Sequence, residues 1–256
     1  MSKAKLIIEE ENTEINNIIT ANGLGLAHEA CNTQEHVDIL GTPLALIADP
    51  GEYVNGGVAG IIENSLIKLN NVMDNWCQNF DDDFSGGKMR GDRGEDIENF
   101  VKDVINMIKI VYGVNVRAFK GTDDKKELKI PGTEIKKNHQ VDIHIYKNDV
   151  FIAVIECKAY LDSCYYVRAC EDFKLFKKYG YNNIKNYIFT LENSIKEETK
   201  IFTDYETDNI CDDIFYMLDG KRSSSKPIYD KQYKKNINKE KLTYFVKSLQ
   251  KLLVDI

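Results

Sequence analysis

No CxxC pair and no Cys/His quartet occurs in this chain: its six cysteines, Cys31, Cys77, Cys157, Cys164, Cys170 and Cys211, fall at scattered spacings. Structural zinc and a disulfide framework are therefore not expected. Long apolar runs are missing as well. No window approaches the roughly 20 apolar residues of a membrane span. The start, MSKAKLIIEEENTEI, places only a three-residue apolar run before a row of glutamates, too short for the apolar stretch of about 7–15 residues in a signal peptide. A reduced, cytoplasmic protein is the expectation. Internal repeats are lacking, and so is an overall excess of positive charge, the net charge being −7.

What is present is the composition of a globular protein, 43% hydrophobic and 29% charged over 256 residues. That suits one large domain or a core domain with an appended module. The charge is unevenly placed. Residues 1–90 carry 5 Lys/Arg against 14 Asp/Glu, and the remainder 29 against 27. Within that remainder, Gly220 to Lys251 holds ten basic residues against Asp230 and Glu240.

Residues 1–88 read as a mainly helical N-terminal region, with a helical apolar period from Val58 to Phe80, and a glycine cluster, SGGKMRG, marks the boundary to a second unit, 89–256. There, Ile97, Val101, Val104, Ile105 and Ile108 trace one helix face that stops at Gly113. A strand, VNVRAFKG, follows, then a polar connection or lid, TDDKKELKIPGTEIKKNHQ. Next come an apolar hairpin from Val141 to Asp162, a helix ended by Gly180, and the apolar strand IKNYIFTLE. This order predicts an α/β (α+β) fold with a central mixed sheet flanked by helices, because both hairpin strands are too apolar to face water. Asn238 to Leu253 reads as a basic amphipathic helix docked on the surface.

The hairpin carries three charges among its apolar residues: Asp142, Glu156 and Lys158. Folding about Asp149 sets Asp142 across from Glu156, with Cβ atoms about 4.5–5.5 Å apart. Glu156 and Lys158, two residues apart, point to one face, as do Asp142 and His144. Two carboxylates so placed repel unless a cation lies between them. Hard oxygen donors suit Mg²⁺, which binds through one or two carboxylates and keeps waters and phosphate oxygens. Such an ion activates water and stabilises charge on a phosphodiester, while Lys158 orients or deprotonates the water or neutralises the phosphorane.

Asp142 followed by Glu156-Cys157-Lys158 at the end of the next strand resembles the signature of the PD-(D/E)XK nuclease superfamily. The element order from about Gly91 to Leu191 is similar to that superfamily's restriction-endonuclease-like core. The resemblance implies that Asp142, Glu156 and the Cys157 backbone carbonyl hold a divalent metal, and that Lys158 is the catalytic lysine. It also implies a glutamate from the first core helix, Glu95 or, second, Glu98. Val141 stands where the signature has its proline. The single-chain size, without helicase or ATPase motifs, is most similar to a type II restriction endonuclease acting as a homodimer on double-stranded DNA. A repair or Holliday-junction-type nuclease of the same superfamily, and a non-catalytic DNA-binding or structural protein retaining the fold, are the alternatives.

Competing structural roles accompany several of these residues. Asp92 and Glu95 fit a capping box. Arg168 and Asp172, four apart on a helix, read as a surface ion pair, and His144 as a hydrogen-bonded core histidine. Arg90 and Arg93, read as a glycine loop before the core helix, and Lys221 and Arg222 in the basic tail are the candidate DNA contacts. The lysine-rich tail suits phosphates and a solvated face equally.

Overall fold

The computed structural model describes residues 56–79, 86–223 and 225–254, with the backbone alone for 86–90. Two helices, α1 (Gly57–Gln78) and α2 (Gly86–Tyr112), precede strand β1 (Val116–Lys120). A ribbon, β2 (Lys126–Lys129) and β3 (Lys136–His139), leads to the hairpin β4 (Ile143–Lys147) and β5 (Val150–Asp162). Then come α3 (Ser163–Lys178), β6 (Lys185–Ser194), α4 (Glu197–Glu206), β7 (Asp213–Tyr216) and α5 (Lys239–Leu253). No described helix is long and apolar enough to cross a membrane. The expectations for residues 1–55, and for Cys31 among them, lie outside the described residues.

Five strands form one mixed sheet in the order β1-β4-β5-β6-β7, antiparallel as far as β5 and parallel from β5 through β7. The mixed α/β architecture expected from the sequence is present. β5 lies at its centre, which explains its unbroken apolar run: both faces are covered. On one face Ala153, Ile155 and Cys157 pack with α1, α2 and α5; on the other Val154 packs with α3.

The α5 helix buries Leu242, Phe245, Val246, Leu249 and Leu253, one apolar stripe at helical spacing. Its start is set by Asn238, whose side chain accepts the Lys241 N–H at 3.1 Å. It is a layer of the core rather than a docked surface element. Much of the basic charge of the C-terminal tail that ends in this helix is neutralised within the chain. Lys234 pairs with Asp74 and Lys239 with Glu63, while Lys241 meets Asp219 at 2.7 Å. The first two pairs join the basic tail to the acidic first 90 residues. Lys68, itself buried, pairs with Asp103 and ties α1 to α2.

Two expectations near the site are corrected. The α2 helix does not begin at Asp92 but runs from Gly86, so Asp92 and Glu95 form no capping box and Arg93 sits on a helix rather than in a glycine loop. The polar segment after β1 is no structureless connection either. It forms the β2–β3 ribbon, with Leu128 buried and His139 Nε2 2.9 Å from the Asp172 carbonyl oxygen.

Candidate functional site

The hairpin turn consists of Asn148 and Asp149, both with positive φ, 50° and 65°. Asn and Asp tolerate the left-handed region that a two-residue turn needs. Lys147 pairs with Val150 and Tyr146 with Phe151, after which Ile152 is an extra residue and Ile145 pairs with Ala153. This bulge matters because it moves the register by one. Ile143 then pairs with Ile155, and the next step outward sets Asp142 against Glu156. The expected opposition is reached through a two-residue turn plus a bulge, not through a turn centred on Asp149.

Three oxygens converge at that position. Asp142 Oδ2 lies 3.0 Å from Lys158 Nζ, Glu156 Oε1 2.6 Å, and the Cys157 carbonyl oxygen 3.0 Å. Asp142 Oδ2 also accepts the Cys157 N–H at 2.8 Å. The ammonium donates to all three, and the paired carboxylates raise the Lys158 pKa well above that of an ordinary lysine, outweighing desolvation. In this arrangement Lys158 is a cation and hydrogen-bond donor, not a base.

Asp142 is positioned by its neighbours. Its carbonyl oxygen accepts the Gly121 N–H at 2.9 Å. One residue earlier, the Val141 N–H donates to His144 Nε2 at 3.3 Å, while His144 Nδ1 lies 3.0 Å from Asp124 Oδ2. With Nε2 accepting, the proton of the neutral ring sits on Nδ1 and points at Asp124. His144 is fully buried, and burial lowers its pKa despite Asp124. It is the hydrogen-bonded core histidine expected from the sequence.

A cleft of about 620 Å³ opens over this floor, lined by Glu98, Asp142, Glu156 and Lys158 with Arg93, Arg168 and Arg222. Gly91 and Gly94 of α2 form part of its wall, and a Cβ at either would meet nothing within 4 Å. Helix α2 brings Glu98 to the cleft and not Glu95. Glu95 is exposed and bridges Lys120 at 2.8 Å, which lowers its pKa. Of the candidate DNA contacts, Arg93 and Arg222 line the cleft, whereas Lys221 is exposed beyond it. The Arg90 side chain lies outside the described residues.

Sequence reasoning did not single out Tyr160, Tyr165 or Glu192 and assigned Arg168 a different role. Arg168 forms no ion pair with Asp172; it lines the cleft. A signal was available for two of them. Tyr160 lies two residues beyond Lys158 and so on the same strand face, and Glu192 is a charge at the end of an apolar strand, opposite Tyr160 in the ladder.

Burial and the nearby Asp142 carboxylate raise the pKa of both Glu98 and Glu156 to about 7. Among the described residues no group of three or more His, Cys, Asp or Glu side chains is close enough to hold a metal ion by itself. The donors fit a small divalent cation in a different way: two carboxylates and a backbone carbonyl already surround one positive charge, the Lys158 ammonium. Mg²⁺ needs no more protein ligands than that, its other positions being filled by water and substrate.

The two raised glutamates make stability depend on pH. Because their folded pKa exceeds the unfolded value of about 4.3, the folded state takes up protons first and gains stability as pH falls through 7. In EDTA the melting temperature should rise from pH 8 to pH 6.5, and the rise should shrink in Glu98→Gln. Below about pH 6.5 the buried neutral His144 acts in the opposite sense, since only the unfolded histidine gains a proton freely. A flat profile between pH 8 and 6.5 would show that neither glutamate is perturbed.

Compared with known proteins, the chain matches no family model and no curated protein.

Proposed function

We propose that the chain is a Mg²⁺-dependent endonuclease that hydrolyses phosphodiester bonds of double-stranded DNA, as a type II restriction enzyme. The observation that carries the reading is the convergence of Asp142 Oδ2, Glu156 Oε1 and the Cys157 carbonyl oxygen on one cation at 2.6–3.0 Å, in an open cleft. These three groups would hold the metal. When bound, Mg²⁺ would lower the pKa of a coordinated water and stabilise charge on the phosphate.

The chain's own residues supply the rest. Lys158, released from the carboxylates, donates to a phosphate oxygen and offsets the negative charge that grows as water attacks. Asp142 stays in place because the Gly121 and Cys157 N–H groups hold it from two sides. Glu98 offers a third carboxylate from the α2 wall of the cleft, able to accept a hydrogen bond from water. Glu98→Gln should reduce the cleavage rate about 10–100-fold, the usual cost of losing a group that supports a metal site. Glu95→Gln should leave it unchanged.

The test is digestion of long DNA of known sequence with Mg²⁺. Discrete fragments sharing one sequence at their ends support restriction, and a palindromic site would call for two copies of the chain. A preference for branched DNA would reassign the protein to repair or junction resolution. No hydrolysis under any of these conditions would leave the non-catalytic reading, a DNA-binding or structural protein with this fold.

A further inference from the structure

Beyond the acidic floor the cleft continues as a ridge built from arginine and tyrosine. Tyr160 follows Lys158 on the same face of β5. Its ring meets Tyr165 edge-on, with centroids 5.7 Å apart. Tyr165 and Arg168, three residues apart on α3, share a helix face. At the other end, the Arg222 guanidinium carbon lies 3.9 Å over the Tyr160 ring. The ridge therefore reads Arg222, Tyr160, Tyr165, Arg168, and all four residues line the cleft.

Arg222 is placed there by the fold. Its backbone N–H donates to the Asn193 carbonyl oxygen at 2.8 Å, which docks the segment on the end of β6. The adjacent Glu192 carboxylate, only 3% exposed, sits 2.8 Å from Lys235 and 3.7 Å from Arg222 Nε. Lys235 matches the single charge of Glu192, so the positive charge of Arg222 is not cancelled. At the other end Arg168 is exposed, and among the described residues it makes no ion pair. Stacked on the Tyr160 ring, the Arg222 guanidinium keeps its N–H fork outward, the geometry that suits phosphate oxygens.

We infer that the Arg222–Tyr160–Tyr165–Arg168 ridge is a phosphate-binding site for the nucleic-acid backbone adjoining the bond to be cut. The identity of that ligand rests on the nuclease reading; the anion site itself does not. The two arginines take phosphate oxygens, and the two tyrosines between them pack on the sugars. Lys158, at the inner end of the same strand face, puts this backbone in line with the acidic floor.

The test uses the full chain and a fluorescently labelled DNA duplex in EDTA, with anisotropy read at several salt concentrations. Arg168→Ala with Arg222→Ala should weaken binding at least tenfold. The double variant should also flatten the slope of log affinity against log salt by about 2, one for each phosphate that is no longer neutralised. Lys177→Ala, which removes an exposed charge on the same helix, should change neither. Unchanged affinity and slope in the double variant, from a wild type that cuts DNA, would overturn the ridge and leave the nuclease reading intact.

Tripolyphosphate serves as a second probe, read by thermal shift. If the wild type cuts no DNA yet is stabilised by tripolyphosphate, and the double variant is not, the anion site stands and the nuclease reading falls. Failure of the wild type to respond to either DNA or tripolyphosphate would overturn the ridge as well.

Discussion

Lys158→Met should reduce Mg²⁺-dependent DNA cleavage by roughly 10²–10³-fold or more, the loss expected when one preorganised donor to a developing charge is removed. Methionine keeps the apolar stem, so the packing of that stem is preserved and only the charged end goes. In the metal-free protein the same change leaves Asp142 and Glu156 opposed without a cation. Losing one partner from such a half-buried cluster costs about 1–3 kcal/mol, and the melting temperature in EDTA should fall accordingly. Added Mg²⁺ should restore stability but not cleavage. A variant that cuts DNA at the wild-type rate would remove Lys158 from the mechanism. Equal melting temperatures in EDTA and Mg²⁺ would show that the carboxylates hold no metal.

The second large effect is expected at a residue that touches no substrate. A Cβ at Gly121 would lie 1.8 Å from the Val141 carbonyl oxygen and 2.9 Å from its carbon, both backbone atoms that cannot rotate away. Gly121 is required by close approach, the two chain segments meeting where its N–H donates to the Asp142 carbonyl. Gly121→Ala must push β1 from the start of β4, at a cost of about 2–4 kcal/mol. For a chain of this size that amounts to a fall of ~6–12 °C in melting temperature. Because the strain falls on the residue before Asp142, cleavage at a temperature where the variant is still folded should drop as well. Wild-type melting and cleavage together would show that these segments separate freely.

The central strands were legible in the sequence because burial on both faces of a sheet demands an unbroken apolar run, and the charges Asp142, Glu156 and Lys158 interrupt it. The register was legible only by coincidence of two opposite local features. A three-residue loop centred on Asp149 predicts the same pairing at Ile143 and Ile155 as a two-residue turn followed by a bulge at Ile152. Alternation of apolar residues does not separate these, since Val150, Phe151, Ile152 and Ala153 are all apolar.

Other features were hidden for specific reasons. The first core helix extends through Gly91 and Gly94, residues that lower helix propensity by about 1 kcal/mol each and so resemble a boundary. Glu98 rather than Glu95 faces the cleft because of how the helix packs on the sheet, which its own periodicity does not reveal. The β2–β3 ribbon is almost entirely polar because it lies off the core, with Leu128 its one buried aliphatic side chain. Arg168 and Asp172 have the spacing of an ion pair, and spacing says nothing of the cleft that competes for the guanidinium. The basic tail reads equally as a phosphate contact and a solvated face, with no sign of pairing inside the chain. Its acidic partners, Asp74 and Glu63, lie some 160 and 176 residues away in the chain, beyond the reach of any local pattern.

Cleavage of supercoiled plasmid by the purified chain, with Asp142→Asn assayed beside it, bears on the metal-dependent nuclease more directly than any other measurement. Nicked and linear DNA should appear with Mg²⁺, none in EDTA, and none from Asp142→Asn at an unchanged fold by circular dichroism. Cutting that persists in EDTA, or that survives Asp142→Asn, would contradict the proposed mechanism.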